Sequence, residues 1–160
     1  MRLTADEAFR AYGDRIFRAA LSVCRNQADA DDVVQDVMIR YHSLGQQYES
    51  EEQLKAWLLR VAVNRAKDIT ASFWRRNKTS WEDCMEEAAF EEPADGRLFA
   101  AVMGLPERYR IVIHLFYYEE YSVREIADIL RRSEGTVKSQ LNRGRALLKT
   151  KLKEEWDDDE

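Results

Sequence analysis

The sequence predicts an all-α protein made of two small helical domains joined by a flexible linker, the C-terminal one a helix-turn-helix. Three observations support this. Apolar residues recur at steps of three and four along most of the chain, and strand-like alternation is scarce. Only two Pro and six Gly interrupt the 160 residues, which leaves room for long helices. Residues 75–95 lose the period, carry charge blocks and contain Pro93, so they read as a linker. The expected divisions are a helical domain over 1–74, the linker over 75–95, a helix-turn-helix domain over 96–153 and an acidic tail over 154–160.

The first helix is expected from about Thr4 to Arg25, opened by Thr4 with Glu7 three residues on in capping-box spacing. Its dry face would be Phe9, Tyr12, Ile16, Phe17, Ala20 and Leu21. The second is expected over about Asp29 to Leu44, with acids at its N-terminus, where the helix dipole favours them. Ala30, Val33, Val34, Val37, Met38, Tyr41 and Leu44 are its inward positions. The third spans about Glu52 to Trp74, with Leu54, Trp57, Leu58, Val61 and Ile69 inward. After the linker come a helix over about Asp95 to Met103 and another with Pro106 at its first turn. The apolar, aromatic run Arg110 to Tyr118 suits a scaffold helix.

Residues 122–145, SVREIADILRRSEGTVKSQLNRGR, then read as two helices with a tight polar turn between them. Ser122 and Glu125 have capping-box spacing, and Ser133 is a good N-cap for the second helix. Val137, Leu141, Gly144, Leu148 and Leu152 share one face of that helix. Gly135, Thr136, Lys138, Ser139, Asn142 and Arg143 fall on the other. Cations, hydroxyls and an amide in one outward row can bond phosphates and base edges in a major groove. An ordinary amphipathic helix would also have a charged face; the paired helices, caps and turn length favour a DNA reader.

The net charge of −5 is unevenly spread. Residues 106–153 hold eleven Lys or Arg against six Asp or Glu, so the basic block coincides with the helix-turn-helix. The tail EEWDDDE holds six acids and is most simply a solvated, frayed end; repulsion of non-specific DNA is the other reading. Cys24 and Cys84 lie far apart and form no metal pattern; Cys24 is expected to be a core thiol. His42 and His114 are the only histidines and fall on different helices. With no nucleotide-binding Gly loop, metal-ligand spacing or nucleophile motif, the reading is non-enzymatic: no catalytic residue, no metal and no cofactor. No apolar run is long enough to span a bilayer and no N-terminal signal pattern is present, so a cytoplasmic protein without membrane insertion is expected.

Three segments together resemble one family. The second helix carries ADADDVVQDVMIRYHSL and the third LKAWLLRVAVNRAKD. The C-terminal part reads LPERYRIVIHLFYYEEYSVREIADILRRSEGTVKSQLNRGRALL. In this order and separation they resemble bacterial RNA polymerase sigma factors of the extracytoplasmic-function (ECF) type, in the sigma-70 family. The resemblance covers about residues 5–152 and matches loosely in the linker, the termini and the loop at 45–53.

The resemblance implies partners and roles. Core RNA polymerase would dock on Asp32, Gln35 and Asp36, acids and an amide suited to Arg-rich helices; spacing alone favours a solvated acidic face, and it is the resemblance that points to docking. The third helix, with Arg60, Asn64, Arg65 and Lys67, would hold the downstream promoter element as single strand. There Asn64 would lie near a pocket for an unstacked base, and the cations on phosphates. Tyr48 to Leu54 would be the specificity loop, while Trp57 at its spacing reads as core. Phe73, Trp74, Arg75 and Arg76 could touch duplex DNA or pack on the linker. Arg132, Ser133, Thr136, Lys138, Ser139 and Arg143 match the region that reads the upstream promoter element. The promoter DNA would thus be engaged both as duplex and as melted strand. A cognate anti-sigma protein is a further partner implied by resemblance. A stand-alone DNA-binding regulator is the competing reading; it leaves the acidic face and the third helix unexplained.

Overall fold

The computed structural model describes the backbone of residues 2–44, 48–76 and 96–158, and side chains over 2–44, 48–72 and 98–153. Among these residues there are seven α-helices, one π-helical turn and no strand. The chain divides into two compact units, Met1–Ala89 and Phe90–Glu160. Most of the expected linker, Cys84 and the side chains of Phe73, Trp74, Arg75 and Arg76 lie outside the described residues. No helix among the described residues is long and apolar enough to cross a membrane.

The first unit contains helices α1 (Ala5–Cys24), α2 (Gln27–Leu44) and α3 (Glu51–Arg76), each packed on the other two. Thr4 caps α1, its hydroxyl accepting from the Glu7 amide at 3.1 Å. Helix α1 stops at Arg25, a non-glycine residue held at φ 53°. Asn26 caps the next helix, its side-chain oxygen accepting from the Asp29 amide at 2.9 Å. Helix α2 therefore starts two residues before the Asp29 expected from its acidic turn. Its far end is tied to the N-terminus: the Arg2 guanidinium donates to the Tyr41 and His42 carbonyls, and the Tyr41 hydroxyl to the Leu3 carbonyl. A cation at a helix C-terminus also meets the negative end of the dipole.

Ile16, Val33, Val37, Tyr41, Leu58 and Leu59 are at most 1 % exposed and form the core of this unit. Ala19, Ala20, Ala30, Ala62 and Ala66 are fully buried, and such small side chains let helix backbones approach closely. Tyr12, Phe17, Met38, Trp57, Val61 and Ile69, expected inward, are half-buried. Two expected core residues are not in the core: Phe9 and Leu44 are about half exposed. Periodicity assigns a residue to a side of its helix, not to a level that a neighbouring helix reaches. Leu44 is the last residue of α2, and the Phe9 ring rests on Gly13, 3.2 Å from where a Cβ would stand. Cys24 is half-buried, its thiol against the Asn26 carbonyl at 3.5 Å, rather than a core thiol.

The second unit begins with α4 (Gly96–Met103) and α5 (Glu107–Ile113). Pro106 stands at the N-cap of α5. Arg110 is buried with its charge in use, donating to the Leu105 carbonyl at 2.9 Å and the Met103 carbonyl at 3.4 Å, just past the end of α4. The scaffold segment is not one regular helix. At His114–Tyr118 it widens into a π turn, closed by the Glu119 amide on the His114 carbonyl at 3.2 Å. The inserted residue brings the buried His114 imidazole to 3.5 Å from the buried Glu119 carboxylate. Two further helices follow, α6 (Val123–Leu130) and α7 (Glu134–Asp158). The backbone of α7 is helical as far as Asp158, so its assigned length runs into the acidic tail.

Candidate nucleic-acid interface

Local chemistry sets the α6–turn–α7 geometry. The Ser122–Glu125 capping box is complete, with both reciprocal bonds at 3.1 Å. Helix α6 ends in left-handed Arg131 at φ 55°, which turns the chain sharply. The Ser133 hydroxyl then accepts from the Thr136 amide at 3.1 Å and pairs with the Thr136 hydroxyl at 2.8 Å, starting α7. Val137, Leu141, Gly144 and Leu148 are buried, and Leu152 half-buried. Gly144 is where α5 comes against α7: a Cβ there would lie 3.0 Å from Ile113 Cγ1.

The opposite row is open. Ser133, Gly135, Thr136, Lys138, Ser139, Asn142 and Arg143 are all exposed. Arg132 is placed differently. It is half-buried, and its guanidinium donates to Gln140 Oε1 at 2.8 Å and to the Arg108 carbonyl at 3.4 Å. Burial pushes its pKa below the ordinary arginine value, while the nearby Glu107 acts the other way. Arg132 therefore braces α7 against the start of α5. Sequence reasoning missed Arg145, whose guanidinium donates to the Tyr117 hydroxyl and to Asn142 Oδ1 and lies over the Phe116 and Tyr117 rings. Its aromatic partners, Phe116 and Tyr117, come from the π turn, for which no local signal existed, while Asn142 lies one turn back on α7 itself.

In the first unit, Asp32 and Gln35 are exposed and Asp36 is half-exposed. Ile39 continues the same stripe at i+3 from Asp36 and i+4 from Gln35, and is 65 % exposed. An apolar residue on a polar face is the signal in the sequence that marks Ile39. Asp29, one turn earlier, has its carboxyl raised above the usual value, first by burial and then by Asp32.

On α3, Arg60, Asn64 and Lys67 share a face; Asn64 is exposed and the two cations half-buried. Arg65 lies one position round and meets Asp36, Nε to Oδ2 at 2.7 Å, in a half-exposed ion pair. The fold thus joins two residues that the sequence had assigned to separate sites. Tyr48, Tyr41 and Trp57 form an aromatic cluster with ring centroids 6.0 to 6.3 Å apart, which seats the residues after the α2–α3 loop.

Known proteins resemble this chain in sequence and in fold. A family model described as sigma-70 region 2 matches residues 8–88, and one described as sigma-70 region 4 matches residues 95–148. The chain is 26 % identical over 164 residues to the ECF RNA polymerase sigma factor SigW of Bacillus subtilis, covering 89 % of this chain and 86 % of that one. It is 30 % identical over 158 residues to the RNA polymerase sigma-E factor of Streptomyces coelicolor, covering 94 % and 86 %. The sigma factor RpoE of Bartonella quintana, solved with the anti-sigma factor NepR, superposes with a TM-score of 0.79 over 92 % of this chain and 96 % of that one. At 22 % identity that superposition establishes the fold. With both sigma regions matched in order, the chain belongs to the extracytoplasmic-function sigma factors of the sigma-70 family.

Proposed function

We propose that this chain is the promoter-specificity subunit of a bacterial RNA polymerase, and that its exposed faces divide the work as follows. Two sigma regions on one polypeptide, each with an open polar face, carry this reading. The chain binds core polymerase, directs it to particular promoters, and helps open the DNA. It makes and breaks no covalent bond; its residues bind and position. It acts in the cytoplasm, where polymerase and promoter are.

The stripe Asp32, Gln35, Asp36 and Ile39 docks on the polymerase. Acids and an amide meet basic helices, and the exposed Ile39 supplies an apolar anchor within a polar surround, the usual make-up of a binding hot spot. Asp36 exchanges its Arg65 partner for one on the polymerase, which costs little because the existing pair is half-exposed.

On α3, Arg60, Arg65 and Lys67 hold the phosphates of the downstream element. Asn64, exposed beside them, offers donor and acceptor groups to the edge of an unstacked base. Capture of that base stabilises the melted strand over the duplex. On α7, Lys138, Ser139 and Arg143 reach base edges and phosphates of the upstream element, with Ser133 and Thr136 at the helix start. Arg132 sets the pose of the helix through Gln140 and Arg108. Because both regions share one chain, binding by one raises the effective concentration of the other. A cognate anti-sigma protein would silence the chain by covering these faces; the Bartonella factor was solved with such a partner.

The deciding experiment is transcription in vitro with purified core polymerase on a promoter library. Enrichment of one promoter class, dependent on this chain, is the expected result. Selectivity equal to that of core polymerase alone would refute the proposal, and tight duplex binding without any affinity for polymerase would favour a stand-alone regulator.

A further inference from the structure

The last carbonyls of an α-helix have no partner within the helix, so each needs one from elsewhere. At the end of α2 the Tyr41 and His42 carbonyls are both met by one nitrogen of Arg2, at 3.2 and 3.3 Å. The same guanidinium lies 5.4 Å from the centre of the Tyr41 ring, a cation–π contact. In return the Tyr41 hydroxyl donates to the Leu3 carbonyl. Residues 2 and 3 thus form a strap tied to α2 in both directions. Arg2 is exposed, and so adds little to the core that buries Tyr41.

What Arg2 does reach is the segment that leads into α3. Tyr48 stacks on Tyr41, with ring planes 20° apart and centroids 6.0 Å apart, and Trp57 of α3 meets both rings. Burial, and then Tyr41, push the Tyr48 hydroxyl above its ordinary pKa, while Arg2 pulls it the other way, so the guanidinium acts on Tyr48 as well. Beyond Tyr48 the chain is held from α3. The Ser50 hydroxyl accepts from the Gln53 amide at 3.1 Å, and Gln53 Oε1 accepts from the Glu49 amide at 2.9 Å. Residues 48–53 therefore have two fixings, the start of α3 on one side and the Tyr41 ring on the other.

We propose that Arg2 is a positioning residue for promoter recognition: by holding Tyr41 against Tyr48 it sets the pose of residues 48–54 on the downstream element, without contacting DNA itself. A recognition group must be held within about 0.5 Å of its working position, so a segment released at one end loses discrimination before it loses its fold. The inference rests on the reading of residues 48–54 as the segment that meets the downstream element.

The test uses the full chain assembled with core polymerase, and promoter libraries randomised separately in the downstream and upstream elements. Arg2→Ala is compared with Arg2→Lys and with Gln53→Ala, which frees the other end of the segment. For Arg2→Ala, preference for the best downstream base over the next should fall by about three- to tenfold, the worth of an exposed cation–π contact together with hydrogen bonds to a charged group. Preference within the upstream element and affinity for core polymerase should be unchanged. Arg2→Lys should recover most of the preference, because an ammonium also carries the charge and the donors that the ring and the two carbonyls meet. A ratio of preferences does not depend on how much protein is folded, so reduced stability alone cannot mimic this result.

An equal fall in both elements would place the effect outside the segment and overturn the proposal. If Gln53→Ala lowers downstream preference and Arg2→Ala does not, the strap has no part in positioning and the reading of the segment stands. If neither variant changes it, the reading of residues 48–54 falls as well.

Discussion

Arg132 and Arg143 carry the same charge on the same helix-turn-helix, yet their surroundings assign them different work. Arg143 is exposed with its guanidinium open to a ligand, whereas Arg132 spans to Gln140 and the Arg108 carbonyl. Arg143→Ala should therefore weaken promoter complexes by about tenfold or more, leaving the thermal midpoint and polymerase affinity unchanged. Arg132→Ala should lower stability by about 1–2 kcal/mol, because it strips two partners from a half-buried site, and any loss of promoter binding should follow from that. Arg132→Lys should restore only part of it: both bonds leave one nitrogen, Nη1, which an ammonium could replace, but an ammonium is more strongly hydrated and costs more to half-bury. Thermal denaturation and promoter-complex titration of the three variants check this; matched losses of stability for the two alanine variants would contradict it. Ile39 supports a second residue-scale prediction. With 65 % of it exposed, it contributes little to the fold, so Ile39→Ala should leave the urea midpoint unchanged. If the α2 stripe docks, the same change should weaken core-polymerase binding by about tenfold, from the apolar area no longer buried. Equilibrium binding of labelled protein to core polymerase reads this directly, and unchanged affinity would remove Ile39 from the docking face.

Among the elements, those whose cause is local were the legible ones. The Ser122–Glu125 box, the Ser133 cap and the two faces of α7 were all readable from spacing, because each interaction spans four residues or fewer. The π turn, the Arg132–Gln140 brace and the Asp36–Arg65 pair were not readable; each depends on where a second turn or helix comes to rest. Asn26 is an equally local signal, a side-chain cap three residues before Asp29, but the acids after it are the stronger mark of a helix start. The site residues were legible only as motif positions, since no periodicity distinguishes an exposed Asn64 that captures a base from one that is merely solvated.

Two tests belong at the element scale. Where α5 crosses α7, Gly144→Val should destabilise the second unit by about 2–3 kcal/mol, because the added atoms meet Ile113 and cannot be accommodated without moving a helix. Chemical denaturation should show it, and an unchanged midpoint would mean that the crossing is looser than 3.0 Å implies. At the start of α2, the Asp29 carboxyl is raised by burial and by Asp32. The folded chain then holds that proton more tightly than the unfolded chain, so ionisation of Asp29 subtracts stability. The cost is absent below the ordinary carboxylate value of 3.8, grows as pH rises through it, and is complete above the raised value. Asp29→Asn should thus be more stable than wild type at neutral pH, with the two urea midpoints converging as pH falls through the carboxylate range. A difference that stays constant with pH would assign the effect to packing or to the helix dipole.

At the scale of the whole molecule, the chain has two units with separate cores and a candidate DNA face on each. Asn64 and Arg143 lie on different units and would touch different promoter elements, one as single strand and one as duplex. Two such groups that share no partner should contribute independently, within about 0.5 kcal/mol. Covalent linkage of two binding regions raises effective concentration without requiring either side chain to sense the other. Combining Asn64→Ala with Arg143→Ala in one holoenzyme should then multiply the two single losses in open-complex stability, agreeing with their product within about twofold. The singles should also differ in kind. Asn64→Ala should impair opening while leaving polymerase binding and the initial closed complex intact, whereas Arg143→Ala should weaken the closed complex first. A double variant that departs from the product by tenfold or more would show that the two regions act as one cooperative body on the promoter, and the picture of two independent grips on a common chain would have to be abandoned.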